Sequence, residues 1–217
     1  MIKLVIFDAG DLLWITANKR YEKAMDNFFE KYNIDGNLVK SRWDKIKSKV
    51  EVGKIKYKDS AKIEFKGMNL NKKILKEWIE MHMKGILIGK KLYPYVKPTL
   101  KKLKKYYKLA VLTDDYKGRE QKILIYKKVG INDIFDETFS SQDICCKKPQ
   151  RKAFFIVLNH FKVKPSEAVF VGHSEDEIEG ARKFRIKTIA YKWDRGTKSN
   201  FYIKSFKEIP KVLERIK

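Results

Sequence analysis

Ile2-Lys3-Leu4-Val5-Ile6-Phe7-Asp8 (IKLVIFD) is an apolar run that stops at a carboxylate. A short apolar segment of this kind reads as a strand buried on both faces, as in a parallel sheet. It opens a longer stretch, VIFDAGDLLW over residues 5–14, in which small and acidic residues gather where the strand should end. The pattern returns twice. Leu109–Thr113 runs into Asp114 within LAVLTDDYKG, and Ala168–Val171 runs into Gly172-His173-Ser174 within AVFVGHSEDEIEGA. In open α/β sheets ligands bind beyond the carboxyl ends of the strands. These three strand ends, and Lys148-Pro149 opening a helix between the last two, are where a site is expected.

Outward from the first strand, the pattern from Asn18 to about Met83 is helical. Tyr21, Met25, Phe28, Phe29 and Tyr32 recur at spacings of three and four, and breaks fall near Asn33–Gly36, Gly53 and Gly67–Asn71. This predicts about four helices and no strand. After Tyr93-Pro94 and Lys97-Pro98 the rhythm becomes helix, strand, helix. Helices are expected over Thr99–Tyr107, Arg119–Val129, Pro149–Phe161, Ser174–Phe184 and Ser205–Ile216. Strands are expected over Leu109–Thr113, Ala168–Val171 and Lys187–Tyr191. The class is therefore α/β, a parallel sheet covered on both faces, with a helical block inserted after the first strand.

The chain has 217 residues, 43% hydrophobic and 13% aromatic, enough for an α/β domain with a small inserted one. No run of 18 apolar residues suggests a membrane span, and the first residues read as a strand, not a signal peptide. Cys145 and Cys146 are adjacent and cannot staple distant segments. No CxxC spacing offers a zinc site, so the expectation is two reduced thiols in a cytoplasmic protein.

Lysine and arginine number 50 against 27 acids, a net charge of +23. Such a charge attracts nucleic acid or phosphorylated metabolites. It is spread along the chain, however, and glutamine is scarce while lysine and isoleucine abound, a bias of thermophile proteomes. The cluster Lys101, Lys102, Lys104 and Lys105 lies opposite the apolar face of an amphipathic helix and reads as solvated surface.

The strand ends, in their order, resemble the four motifs of the haloacid dehalogenase (HAD) hydrolase superfamily. The flanks resemble it too, in LYPYVKPTLKKLKKYYKLAVLTDD (92–115), KVGINDIFDETFSSQDICCKKP (128–149) and FVGHSEDEIEGARKFRIKTIA (170–190). The helical block sits where one subgroup carries its cap. The resemblance implies a Rossmann-like HAD core over 1–14 and 92–217, with a helical cap over 15–91. It also implies roles. Asp8 is the nucleophile that forms a covalent aspartyl intermediate. Thr113 and Asp114 lie at the substrate, with the Thr113 hydroxyl donating to a phosphoryl oxygen. Lys148 neutralises charge on both nucleophile and phosphoryl group. Mg²⁺ is held by Asp8, the Gly10 carbonyl and the fourth-motif positions His173 and Glu177, with Asp176 as the neighbouring alternative.

The departures shape the expected chemistry. In place of the family's DxDxT the chain has Asp8-Ala9-Gly10-Asp11-Leu12. Gly10 stands where phosphatases keep the Asp that protonates the leaving group and later activates water. Leu12 replaces the Thr. Asp11 is displaced by one residue, which turns its side chain elsewhere. His173 stands where a metal-binding Asp is usual, and nitrogen is a poor donor to Mg²⁺. Three readings stay open. The first is a Mg²⁺-dependent phosphatase of small phosphorylated compounds. The second is a catalytically degenerate binding protein for a polyanion or protein. The third is dehalogenase or phosphonatase chemistry, which dispenses with the second Asp. A dehalogenase needs a cation for halide, and Arg20 and Arg42 are the cap's only arginines.

Overall fold

Leu4 and Ile6 enter one apolar cluster, while Val5 and Phe7 enter another on the opposite face of the sheet. All four are fully buried, which accounts for the unbroken apolar run. They form β1 (Leu4–Phe7) of a computed structural model that describes residues 1–15, 19–85, 87 and 90–216. Asn18, where the sequence suggests the helical block begins, and the side chain of Arg20 lie outside the described residues.

Four helices follow: α1 (Lys19–Lys31), α2 (Gly36–Glu51), α3 (Tyr57–Glu64) and α4 (Lys72–Gly85). Then come α5 (Val96–Leu103), β2 (Lys108–Thr113), α6 (Gly118–Val129), β3 (Glu137–Ser140) and α7 (Ser141–Ile144). The chain ends with α8 (Arg151–Phe161), β4 (Ala168–Gly172), α9 (Glu175–Lys183), β5 (Lys187–Tyr191), β6 (Phe201–Ile203) and α10 (Ile209–Arg215). The strands form one six-stranded parallel sheet in the order β3-β2-β1-β4-β5-β6. The chain departs from β1 to one side and returns to the other, so β1 is the topological switch point. Phe7 is level with Val111 of β2 and Val171 of β4. The segments that follow all three strands therefore leave the sheet at the same edge.

Helices cover both faces. Val5, Phe7, Val111 and Val171 pack with Leu100 of α5, Ile125 of α6 and Leu213 of α10. Leu4, Ile6, Leu112 and Phe170 pack with Phe154 and Val157 of α8 and Ala181 of α9. The inserted helices have apolar clusters of their own. Phe28, Phe29, Val39, Phe65 and Trp78 form one; Ile46, Val50 and Tyr57 form the other, on which Tyr116 from the loop after β2 rests. Asp35 ends the break after α1 by capping α2, its carboxylate accepting from the amides of Asn37 (2.9 Å) and Leu38 (3.1 Å). No helix among the described residues is long and apolar enough to cross a membrane. Both cysteines are free thiols.

Several details differ from the sequence reading. Strands β3 and β6 were not anticipated: four residues with polar members, and a run of only three, carry too little periodicity to register. Helix α5 begins at Val96, ahead of Pro98, because proline in a first turn removes an amide that has no helical partner anyway. The last helix is split: a 3₁₀ turn at Phe206–Glu208 precedes α10, whose first turn holds Pro210.

Candidate active site

Asp8 follows β1 with only 5% of its surface exposed. Its backbone amide donates to the Val171 carbonyl (3.0 Å), which ties the residue to the β4 end. The chain then turns sharply. The Leu12 amide donates to the Gly10 carbonyl (2.6 Å) and the Leu13 amide to the Ala9 carbonyl (3.0 Å), with Asp11 in the left-handed region at φ 54°. Leu12 and Leu13 are thereby sunk into the core. Asp11 stays exposed and lines the outer part of the cavity that contains Asp8.

Lys148 lies in the turn that precedes α8. Its ammonium donates to Asp8 Oδ1 (2.6 Å) and to the Leu112 carbonyl (2.9 Å), and pairs with Glu177 Oε1 at 2.8 Å. Its backbone amide donates to Asp114 Oδ1 (3.2 Å). Glu177 rises from the first turn of α9, while Asp176, its neighbour, is exposed. Gly180, one turn later, makes the approach possible: a Cβ there would stand 2.7 Å from Pro149 Cβ and 2.9 Å from its carbonyl oxygen. Thr113 is buried at the end of β2 and lines the same cavity.

Burial raises the Asp8 carboxyl above the ordinary aspartate range, with Lys148 pulling the other way. Burial acts against the Lys148 charge too, yet Asp8, Glu177 and Asp114 hold its proton above the usual lysine range. Glu177 is also disfavoured by burial, but the Lys148 ammonium holds it below the ordinary value. Burial, opposed by Lys148, pushes Asp114 up to about 6. One ammonium thus organises three carboxyl groups at the switch point.

Asp8, His173 and Glu177 each offer a ligand atom within 4.8 Å of one another. His173 Nδ1 lies 3.6 Å from Asp8 Oδ2 and 3.9 Å from Glu177 Oε2, too far for hydrogen bonds. Nδ1 and Oε2 are buried and have no hydrogen-bond partner among the described residues. Orphaned polar atoms of this kind are costly, about 1–3 kcal/mol each, and a cation between them satisfies both. The donor set fits a divalent ion, with the nitrogen favouring a softer one than Mg²⁺. The Gly10 carbonyl keeps a second lone pair beside its turn hydrogen bond.

The cavity around Asp8 has a volume of about 330 Å³. Sequence reading missed part of its lining: Lys90, Asp115, Tyr116 and Lys122. Lys122 and Asp115 form a buried ion pair (2.6 Å), and burial lowers Lys90 to about 8. Lysines in so basic a chain carry no signal of their own. The inserted helices close over this region. Lys147 pairs with Glu51 (2.8 Å), Trp43 meets Tyr116 edge-on (4.9 Å between centroids), and Lys117 donates to the His82 carbonyl (3.1 Å). Arg42 donates to the Glu64 carbonyl (3.0 Å) and does not line the cavity.

The family model of the haloacid dehalogenase-like hydrolases matches residues 2–185. The glyceraldehyde 3-phosphate phosphatase of Methanopyrus kandleri is 35% identical over 99 residues, covering 45% of this chain and 42% of that protein. The phosphoglycolate phosphatase of Pasteurella multocida is 35% identical over 91 residues, covering 42% of this chain and 40% of that protein. These matches span about two fifths of the curated relatives' length. A 2-haloacid dehalogenase from Pseudomonas syringae pv. Tomato superposes with a TM-score of 0.81 over 99% of both chains at 24% identity, which shows a shared fold.

Proposed function

This chain belongs to the haloacid dehalogenase-like hydrolases, and from that premise we propose that it is a phosphatase of small phosphorylated compounds acting through Asp8. The observation that carries the reading is the Lys148 ammonium held between Asp8 (2.6 Å) and Glu177 (2.8 Å) where three strand ends meet. The phosphatase names of the relatives support it. The reading divides the chain into a core over 1–14 and 92–217 and a cap over 15–91. The Trp14–Leu92 bridge and the Ile15 amide donating to the Lys91 carbonyl (3.0 Å), which hold the two ends of the inserted block side by side, support this division.

Asp8 attacks phosphorus with one carboxylate oxygen, and the bond from phosphorus to the leaving oxygen breaks. Lys148 opposes the burial that disfavours the Asp8 charge and then faces the charge spread over the phosphoryl oxygens. The Thr113 hydroxyl donates to one of those oxygens. Closure of the cap excludes water. Asp8, Glu177 and the Gly10 carbonyl would hold Mg²⁺, with His173 as a fourth donor; the ion supplies positive charge for the transferring group. Gly10 offers neither a proton for the leaving group nor a base for water. Substrates whose oxygen leaves without a proton are therefore favoured, and hydrolysis of the aspartyl phosphate is slow.

The test is phosphate release from phenyl, acetyl and ethyl phosphate with Mg²⁺, with mass spectrometry on Asp8. Phenyl and acetyl phosphate should turn over about 10²-fold or more faster than ethyl phosphate, with phosphoenzyme accumulating. Asp8→Asn should remove turnover by about three orders of magnitude or more. No release and no phosphoenzyme on any of the three would leave a HAD-fold binding protein.

A further inference from the structure

A second cavity, of about 210 Å³, lies within the cap. Its walls are rings: Tyr21, Phe29, Trp43, Tyr57, Trp78 and Tyr116. The rings brace one another, with Phe29 5.2 Å from Trp78 and Tyr57 5.7 Å from Tyr116 between centroids. Tyr116 also lines the cavity that contains Asp8, so the two spaces share a wall. An engineered cavity of about 150 Å³ accommodates benzene, so a substituted ring fits here.

The charges around the cavity are already answered. Glu64 accepts from the Ser60 hydroxyl (2.6 Å) and from Trp78 Nε1 (3.2 Å), and burial raises its carboxyl. His82, which also lines the space, is lowered to about 3 by burial and stays neutral. The Lys117 ammonium stands 5.6 Å from the Tyr21 and Tyr57 ring centres and 5.1 Å from that of Tyr116. That ammonium takes the place a ligand cation would occupy over these rings. Lys40 is the exposed charge of the lining. One polar group is unanswered: the Tyr57 hydroxyl is buried with no hydrogen-bond partner among the described residues. An uncharged aromatic group bearing an oxygen matches this set.

We propose that the cap cavity binds the aromatic part of the substrate, which makes the preferred substrate the phosphate ester of a phenol. The assignment of the ring as leaving group rests on the phosphatase reading above. The occupancy of the cavity does not. The two agree on independent grounds, since Gly10 leaves no acid and a phenolate departs without one. In the step itself the phosphorus–oxygen bond to the phenol breaks, its electron pair goes to the phenolate, and a bond from Asp8 to phosphorus forms.

The probe is phenol, followed by quenching of tryptophan emission, on the natural chain and on Asp8→Asn. Saturable binding with a Kd of a few millimolar or tighter is expected on both, and phenyl phosphate should compete for it. Tyr57→Phe keeps the ring and removes the hydroxyl; it should weaken phenol about fivefold or more. Val39→Phe, which fills the space, should abolish binding, and the isosteric Tyr57→Phe keeps the test decisive should that variant not fold. Absence of saturable binding overturns the proposal, as does binding that both variants leave unchanged or that phenyl phosphate does not displace. Displacement by phenyl phosphate without any phosphate release supports the cavity assignment and overturns the phosphatase reading instead.

Discussion

His173 Nδ1 stands 3.6 Å from Asp8 Oδ2 with no hydrogen bond, in a position where one more carboxylate would face any cation. A unit charge near 4 Å is worth roughly 4 kcal/mol at an effective dielectric of 20 before desolvation. His173→Asp should therefore tighten Mg²⁺ about tenfold or more by calorimetry, and unchanged affinity would remove His173 and Glu177 from the ligand set. Asp114 supplies a pH test. Burial, opposed by Lys148, pushes its carboxyl up from 3.8 to about 6. A folded pKa above the unfolded one is favourable to folding at low pH, and the contribution is lost as pH rises through about 6. Above that the fold carries a desolvated carboxylate, a penalty of at most about 3 kcal/mol, which partial exposure to solvent cuts to about 1–2. Asp114→Asn retains the acceptor for the Lys148 amide. It should raise stability by about 1–2 kcal/mol at pH 8 and little at pH 4, read from urea midpoints. Equal gains at both pH values would refute the assignment.

At the scale of elements, the decisive contact is α9 against the start of α8. Helix α9 carries Glu177 and the residue after Lys148 is Pro149, so their separation sets whether Lys148 can reach both Glu177 and Asp8. Gly180→Ala would gain about 1 kcal/mol of helix propensity. Its Cβ would stand 2.7–2.9 Å from Pro149, however, much of it backbone that cannot rotate away. Overpacking of this kind costs about 1–3 kcal/mol, so sterics should win. We expect a net loss of up to about 2 kcal/mol together with reduced turnover. Glu179→Ala, on the exposed side of the same helix, should change stability by under about 0.5 kcal/mol. A Gly180→Ala protein as stable as the natural one would mean the two helices can move apart freely. The inserted helices meet the core through Lys117 on the His82 carbonyl, Lys147 on Glu51 and Tyr116 packed against Trp43 and Tyr57.

Among the described residues, many of the acids are engaged in ion pairs. Glu80 meets Lys76 and Lys84, Glu179 meets Lys183, and Asp136 meets Lys104 and Lys108. The surplus behind the +23 net charge is left on exposed lysines such as Lys101, Lys102 and Lys105. Charge distributed in this way binds polyanions without form or sequence preference. Mobility shifts with duplex DNA, single-stranded DNA and RNA should show similar weak binding, falling about 10³-fold between 50 and 200 mM salt. A clear preference for one nucleic acid that persists at the higher salt would point instead to a built binding surface.

The sequence by itself determined the parallel sheet, the inserted helices and the order of Asp8, Thr113, Lys148 and Glu177. Those features depend on local periodicity and on which residue follows each strand, and both are written along the chain. It left open Glu177 against Asp176, and only the turn of α9 resolves them, sending one carboxylate to Lys148 and the other to solvent. Strands β3 and β6 were invisible because a short strand gains its hydrogen bonds from neighbours and not from its own pattern. Lys90, Lys122, Asp115 and the ring-walled cap cavity were equally hidden. A lysine becomes exceptional only when folding strips its water, and rings scattered from Tyr21 to Tyr116 become one pocket only when packing brings them together.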